Sequence, residues 1–136
     1  MYERLFHRFT KGSRSLQVYK GYRLIFESNK ARLTPLLEYI ERFAGHHQDV
    51  VVFDKIAGNA AALLLVKANC RKVYSPLGSS LAIETLTKHS IEYHFTKTID
   101  RIQKPDGQGM CPMEKLSLNK EPEEFYRAIK KTLASP

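Results

Sequence analysis

An acidic and a basic residue directly follow a strongly apolar run in this sequence. Residues 50–53 (Val-Val-Val-Phe) are typical of a strand buried on both faces, and Asp54 and Lys55 come next. In sheets with parallel strands, ligands bind in the crevice at the carboxyl ends of the strands. A carboxylate and an ammonium group placed there could hold a substrate or transfer protons. The alternative interpretation is a partly exposed salt bridge at a strand end, which is the more common arrangement.

Two glycine-containing segments mark the starts of predicted helices. Gly58-Asn59 follows the strand at 50–53, and Gly78-Ser79-Ser80 follows a second strand that ends at Ser75. Backbone N–H groups at the start of a helix lack partners within the helix, so they can bind an anion or a polar ring. The alternatives are that Gly58 allows close packing and that Ser79 or Ser80 is an ordinary N-cap.

A cysteine lies in the glycine-containing segment Gly109-Met110-Cys111-Pro112-Met113-Glu114. Cys111 could act as a nucleophile if its surroundings stabilised the thiolate, and His94 is a candidate neighbour in space. The alternative is a structural thiol, with Glu114 anchoring the loop instead of reacting. We therefore predict Cys111, Asp54 and Lys55 as candidate catalytic residues. The candidate ligand-binding residues are Asp54, Lys55, Gly58, Asn59, Ser79 and Glu114.

The sequence predicts no metal ion and no cofactor. Cys70 and Cys111 are the two cysteines, and neither Cys-x-x-Cys nor His-Glu-x-x-His occurs. The adjacent His46 and His47 would point in different directions, which is poor geometry for chelation. Gly-x-Gly-x-x-Gly, a Walker loop and Gly-x-Ser-x-Gly are also absent. Two cysteines are too few for a secreted disulfide framework, so free thiols and a cytoplasmic location are expected.

The chain is basic, and its positive charge is uneven. The net charge is +8, of which residues 1–32 contribute +6. Such a surface could attract nucleic acid, a protein partner or anionic metabolites, although a solvated basic surface is the common case. The 136 residues suffice for a single domain over 1–136, and a homo-oligomer is compatible with the sequence. Since no run of eighteen apolar residues occurs, no membrane association is predicted.

Alternating strand and helix signals must position these residues. They predict an α/β fold with a mixed sheet in three α/β/α layers and an N-terminal β-hairpin. The expected order is: a basic amphipathic segment at 1–14, a hairpin at 15–28, a helix from Thr34, a strand at 50–53, a helix at 57–68, a strand at 72–75, a turn at 76–78, a third helix, a strand at 92–99, a long loop at 100–118 and a C-terminal helix in 120–136.

Three segments together resemble a bacterial family of domains of unknown function. They are Thr34-Pro35-Leu36-Leu37, then Asp54-Lys55 with Gly58-Asn59-Ala60-Ala61-Ala62-Leu63-Leu64, and finally Gly109-Met110-Cys111-Pro112-Met113-Glu114. The resemblance covers roughly residues 15–133. It implies a cytidine-deaminase-like fold.

The wider deaminase superfamily binds zinc through a His or Cys at the start of one helix and two Cys at the start of the next, with a Glu for proton transfer. The matching stretches here, residues 58–61 and 75–80, contain no His, Cys or Glu. The resemblance therefore implies the fold without the zinc or the hydrolytic residues.

Three hypotheses about function follow. The first is a binding protein whose metal-free crevice takes a small nucleotide-like or other anionic metabolite. The second is a non-zinc enzyme that uses Cys111 or the Asp54/Lys55 pair. The third is a protein that binds nucleic acid or a protein partner through its basic N-terminal quarter.

Overall fold

The computed structural model describes residues 1–43 and 45–134. Within these residues the helices and strands follow in this order: α1 Glu3–Lys11, β1 Leu16–Lys20, β2 Arg23–Ser28, α2 Thr34–Phe43, β3 Val50–Asp54, β4 Ile56–Ala57, α3 Asn59–Lys67, β5 Cys70–Ser79, α4 Ser80–Lys88, β6 Glu92–Ile99, α5 Pro112–Ser117 and α6 Pro122–Ala134. Positions 135 and 136 of the predicted C-terminal helical segment lie outside the described residues. No described helix is long and apolar enough to cross a membrane.

One mixed sheet organises the described residues. Strand β1 pairs antiparallel with both β2 and β3, whereas β3, β4 and β6 each pair parallel with β5. Residues 72–74 of β5 pair with both β3 and β6, and residues 77–78 pair with both β4 and β6. Strand β4 therefore continues along the same edge of β5 as β3. The predicted α/β class, mixed sheet and N-terminal hairpin are confirmed.

Strand β3 is buried on both faces of the sheet, and its alternate side chains enter two different clusters. Val50 and Val52 belong to a large aliphatic core, which includes residues of α2, α3, α4 and α6. Val51 and Phe53 face the opposite side and join an aromatic cluster with α1. Helix α3 is buried along most of its length, since its sequence is apolar on all sides. This enclosure fixes the position of the first turn of α3 relative to the strand ends.

Helix α1 packs on the sheet through its aromatic side chains. Phe6 and Phe9 are buried, and their rings lie 5.6 and 5.7 Å from the ring of Phe53. Phe6 also lies 5.5 Å from Tyr74 of β5. The apolar side of this amphipathic helix is therefore used inside the fold, and its basic side faces outward.

One local prediction was wrong, and two short elements were not predicted. The predicted turn at 76–78 is part of β5, because Pro76 falls between the residues that pair with β3 and those that pair with β4, where its missing N–H removes no ladder bond. The two-residue strand β4 was not predicted. Helix α5 was not predicted either. It begins at Pro112, inside the loop expected at 100–118, and proline is well suited to the first turn of a helix.

Candidate functional site

The carboxyl end of β3 places Asp54 in a buried position. Only 9% of this residue is exposed, and its Oδ1 accepts a long hydrogen bond of 3.4 Å from the backbone N–H of Ile56. Burial raises the pKa of the Asp54 carboxyl from its ordinary value of 3.8 to about 7, because a charged group loses hydration there. The backbone N–H groups of Ile56 and Lys55 oppose this rise but do not cancel it. Asp54 can therefore change protonation state near neutral pH.

Glu114 of α5 occupies the N-terminus of α3. Its two carboxylate oxygens accept hydrogen bonds of 2.8 Å from the backbone N–H groups of Asn59 and Ala60. Burial raises the pKa of Glu114, while the bonds from Ala60 and Asn59 work in the opposite direction. The carboxylate also lies at the positive end of the helix dipole, which favours a negative charge. Two of the N–H groups that the sequence offered to a ligand are thus bound by the protein's own side chain.

Gly58 makes room for this arrangement. A Cβ at this position would lie 2.6 Å from the carboxyl carbon of Glu114 and 2.6 Å from Cγ1 of Ile102. Real Cβ atoms do not approach other heavy atoms so closely. The glycine is needed here for space and not for an unusual backbone angle, since its φ is −90°.

Asn59 ties three helices together. Its side-chain amide donates to the carbonyl and the hydroxyl of Ser117, at 3.3 and 3.0 Å, and its oxygen accepts a hydrogen bond from the Thr85 hydroxyl. The Ser117 hydroxyl in turn donates to the backbone carbonyl of Glu114 at 2.6 Å. This buried network joins α3, α4 and α5, and it holds the Asn59 side chain in the network instead of on the cavity wall.

A cavity of about 370 Å³ opens beside these groups. This volume lies in the usual range for small-molecule sites. Asp54, Lys55, Gly58, Cys111 and Glu114 line the cavity, so the structure brings five of the seven predicted site residues together. Asn59 and Ser79 are not among its lining residues; Ser79 caps α4 by accepting a 3.0 Å hydrogen bond from the Ala82 N–H.

Sequence reasoning missed the rest of the cavity wall. Exposed Lys30, Arg32 and Lys104 supply positive charge around it, and Lys30 pairs with Glu38 at 2.7 Å. The apolar lining residues are Ala31, Leu33, Ile56, Ala60, Ala61, Ile102, Pro105, Pro112 and Met113. The basic residues were visible in the sequence as charge, but their convergence from residues 30–32 and from the loop after β6 depends on the tertiary fold.

Lys55 does not form the acid–base pair with Asp54 that the sequence suggested. Its ammonium group donates to the backbone carbonyl of Gly12 at 2.8 Å and lies 4.8 Å from the ring centroid of Phe9. Both groups belong to the C-terminal end of α1, where a cation interacts favourably with the last carbonyls of the helix. The ammonium of Lys55 therefore holds α1 against the sheet.

The thiol of Cys111 has no histidine beside it in the cavity. Cys111 is half-buried and precedes α5, and its backbone N–H donates to the Ile102 carbonyl at 3.0 Å. His94 lies instead on the α1 side of the sheet, with its ring 5.8 Å from Phe6 and 5.7 Å from Tyr74. Cys70 is buried in the aliphatic core, where desolvation raises its pKa to about 12.

The two stretches that would bind zinc in a deaminase lie next to each other. Ala57, before α3, pairs with Gly78, before α4, so the two helix starts are neighbours. Their residues do not fit a zinc ion, because neither stretch contains an imidazole, thiolate or carboxylate donor. The residues that the structure describes contain no group of three or more His, Cys, Asp or Glu suited to a metal ion.

Comparison with known proteins places the chain in a family. The family described as TM1506, a domain of unknown function (DUF1893), matches residues 4–133. The crystal structure of a DUF1893 family protein (TM1506) from Thermotoga maritima superposes with a TM-score of 0.86 and 31% sequence identity, covering 96% of this chain and 88% of that chain. No curated protein matches. The sequence and the fold agree, and the chain belongs to the DUF1893 family.

Proposed function

We propose that this protein binds a small anionic, nucleotide-like metabolite in the 370 Å³ cavity. The observation that carries the proposal is the combination of a buried carboxyl group, apolar walls and exposed cations around one cavity. Few polar groups in a mainly apolar recess are typical of sites that orient a ring-containing ligand.

Asp54 would recognise the polar edge of the ligand. A buried carboxylate gains most from a ligand that donates N–H bonds, because its remaining hydrogen-bonding capacity is otherwise poorly met by the single 3.4 Å bond from Ile56. The amino and imino groups of a nucleobase are such donors. The raised pKa of Asp54 follows from the same burial, so ligand binding should depend on pH near neutrality.

Arg32 and Lys104 would bind the anionic group. Both are exposed lining residues, and neither forms an ion pair with a residue that the structure describes. Guanidinium and ammonium groups are the usual partners of phosphate. The N-terminus of α3 contributes less than the sequence suggested, because Glu114 already accepts from Asn59 and Ala60.

We also infer a cytidine-deaminase-like fold, which is supported by the hairpin, the parallel strands β3, β5 and β6, and the adjacent starts of α3 and α4. Because the zinc-ligand stretches do not fit the metal, no zinc-dependent step is assigned to this chain. A cytoplasmic location is supported by the free thiols of Cys70 and Cys111.

A thermal-shift screen tests the proposed ligand. The panel contains nucleobases, nucleosides, nucleotides and sugar phosphates. A ligand at a hundred times its dissociation constant adds about 2.7 kcal/mol, which corresponds to a Tm increase on the order of 10 °C for a domain of this size. We expect nucleotides to give the largest shifts.

Two variants locate the binding groups. Arg32→Gln with Lys104→Gln should reduce the nucleotide shift to that of the matching nucleoside, and Asp54→Asn should reduce both shifts. The matched control is Lys97→Gln with Lys115→Gln, which removes the same charge from exposed positions on β6 and α5 that form no ion pair with a described residue. The proposal is contradicted if no compound of the panel raises the Tm. It is also contradicted if the Arg32→Gln, Lys104→Gln variant and its control show equal nucleotide shifts.

A second candidate function is an enzyme that uses Cys111. The observation in its favour is that the thiol and Asp54, with its raised pKa of about 7, line the same cavity. Alkylation by iodoacetamide between pH 6 and 9 tests this. Cys111→Ser is the blank, since Cys70 is buried. Rapid alkylation below pH 7 that slows in Asp54→Asn supports an activated thiol. Equal alkylation rates in the wild type and Asp54→Asn would contradict the enzyme hypothesis, and ligand binding would remain as the proposed function.

A further inference from the structure

The outer side of α1 is strongly basic. Arg4, Arg8 and Lys11 occupy exposed positions four and three residues apart, so they share one side of the helix. None of these three forms an ion pair with any residue that the structure describes. Lys72 of β5 lies on the same face of the sheet, with its ammonium 4.8 Å from the ring centroid of Tyr74.

Neighbouring acids do not neutralise this surface. Glu3 is paired with the amino group of Met1. Glu27 lies 3.4 Å from Arg14, and Glu92 lies 4.0 Å from Arg71. Each of these acids therefore already has a cation of its own. The positive charges of Arg4, Arg8 and Lys11, the basic stripe of α1, are left without an acidic partner.

A small recess lies between α1 and β1, beside Arg8 of the basic stripe. Its volume is about 180 Å³. The polar side chains that line it are those of Arg8, Arg14, Gln17 and Tyr19, and no carboxylate is among them. Glu27 accepts a 3.0 Å hydrogen bond from the Gln17 amide and lies 3.4 Å from Arg14, so Arg8 is the lining cation that has no ion pair with a described residue and could bind a phosphate oxygen.

An exposed aromatic ring lies at the other end of α1. Tyr22 is 54% exposed, and its ring centroid lies 4.9 Å from that of Tyr2, which precedes the helix. The Tyr2 hydroxyl donates to the Gly21 carbonyl at 2.6 Å and so fixes the hairpin turn that carries Tyr22. A rigid, exposed ring beside a basic stripe is suited to stacking with a nucleic-acid base.

We propose that the α1 face binds single-stranded nucleic acid. The phosphates contact Arg4, Arg8 and Lys11, and a base stacks on Tyr22. The distance from Tyr2 to Lys11 along the helix is about 14 Å at 1.5 Å per residue, so the proposed contacts extend over a short segment of a single strand.

The same observations disfavour a lipid surface as the partner. A helix that lies in a membrane interface needs a free apolar side, but the apolar side of α1 packs on the sheet, with Phe6 and Phe9 only 8% and 3% exposed. The proposed surface also shares none of its residues with the cavity wall. The two proposals can therefore fail separately.

Fluorescence anisotropy with labelled oligothymidylate and oligouridylate, each of twelve nucleotides, tests the proposal on the full chain. Three phosphate contacts predict a slope of about −2 for log affinity against log salt on a single strand. Affinity should then fall by roughly 20-fold between 50 and 200 mM salt.

Variants on opposite sides of the molecule separate a specific surface from net charge. Arg4→Gln with Arg8→Gln and Lys11→Gln should reduce the size of the salt slope by about 2. Lys97→Gln with Lys115→Gln and Lys120→Gln removes the same charge from β6, α5 and the residues after α5, where none of the three lysines forms an ion pair with a described residue, and it should leave the slope unchanged. Tyr22→Ala should weaken binding by roughly 5- to 150-fold, whereas Tyr22→Trp should retain it.

Several results would overturn the proposal. These are absent binding at 50 mM salt, equal losses in the two triple variants, or a duplex that binds more tightly than the single strand and is insensitive to Tyr22→Ala. Competition by polyglutamate as effective as that by the oligonucleotide, at equal charge, would show a surface for acidic polypeptides instead. Nucleotide binding in the cavity would be unaffected by any of these results, because its test uses Arg32, Lys104 and Asp54.

Discussion

Replacing Asp54 by asparagine should stabilise the folded protein at alkaline pH. Asp54 is buried, and its pKa is raised from 3.8 to about 7. A carboxyl group with a raised pKa in the folded state binds its proton more tightly there than in the unfolded chain. Stability therefore falls as pH rises from about 4 to 7, and the loss persists at higher pH. Asparagine has the same shape and keeps an acceptor for the Ile56 N–H, but it cannot ionise.

The size of the effect follows from this pKa difference. The interval between 3.8 and about 7 corresponds to about 4 kcal/mol, at about 1.4 kcal/mol for each pH unit. The free energy of unfolding of Asp54→Asn should thus match that of the wild type near pH 4 and exceed it by up to about 4 kcal/mol above pH 8. Under the proposed function the same variant loses ligand affinity, which is the trade-off expected where a site residue costs stability.

Urea unfolding at 25 °C, measured at intervals between pH 4 and 8.5, provides the test. The difference between the two proteins isolates Asp54, because Glu114 and all other titrating groups are common to both. Asp100→Asn is the matched control, since it makes the same substitution at an exposed carboxylate. Parallel pH profiles for wild type and Asp54→Asn, or a variant less stable at pH 8, would refute the argument from burial.

Three further substitutions test the supports of the site, each by urea unfolding at pH 7. Glu114→Ala should destabilise the fold by about 2–4 kcal/mol, because the buried N–H groups of Asn59 and Ala60 lose their acceptors; a loss below about 1 kcal/mol would show that water replaces the carboxylate. Gly58→Ala should cost about 1–3 kcal/mol, since its Cβ would lie 2.6 Å from the Glu114 carboxyl; an unchanged midpoint would contradict this packing. Phe6→Ala should cost about 3–5 kcal/mol by leaving a cavity under α1; a smaller effect would indicate that α1 detaches readily.

Much of the fold could be predicted because its signals are local. The apolar run 50–53 matched β3, and the alternating pattern at 92–99 matched β6. Pro76 misled the prediction, since a proline normally ends a strand unless it lies where no partner needs its N–H. A strand as short as β4 exists only because β5 lies beside it, and no local sequence pattern could reveal that.

The candidate site was less predictable because its contacts are distant in sequence. The position of Asp54 followed from the strand that precedes it, but its isolation from Lys55 depends on α1, more than forty residues earlier. The bond between Asn59 and Glu114 joins residues separated by 55 positions. Local spacing indicated that Gly58 allowed either ligand binding or close packing, and only the tertiary structure identified the neighbour that fills the space.

The aromatic contacts of α1 have a consequence for biosynthesis. Its rings pack on Phe53 of β3 and Tyr74 of β5, which the ribosome adds about 50 to 70 residues after α1. At ~5–20 residues per second, this interval lasts on the order of 3–14 seconds. During that time the helix has no partner for its phenylalanines, so the nascent chain exposes an aromatic, positively charged segment. Docking of α1 should therefore be a late event in the folding of this protein.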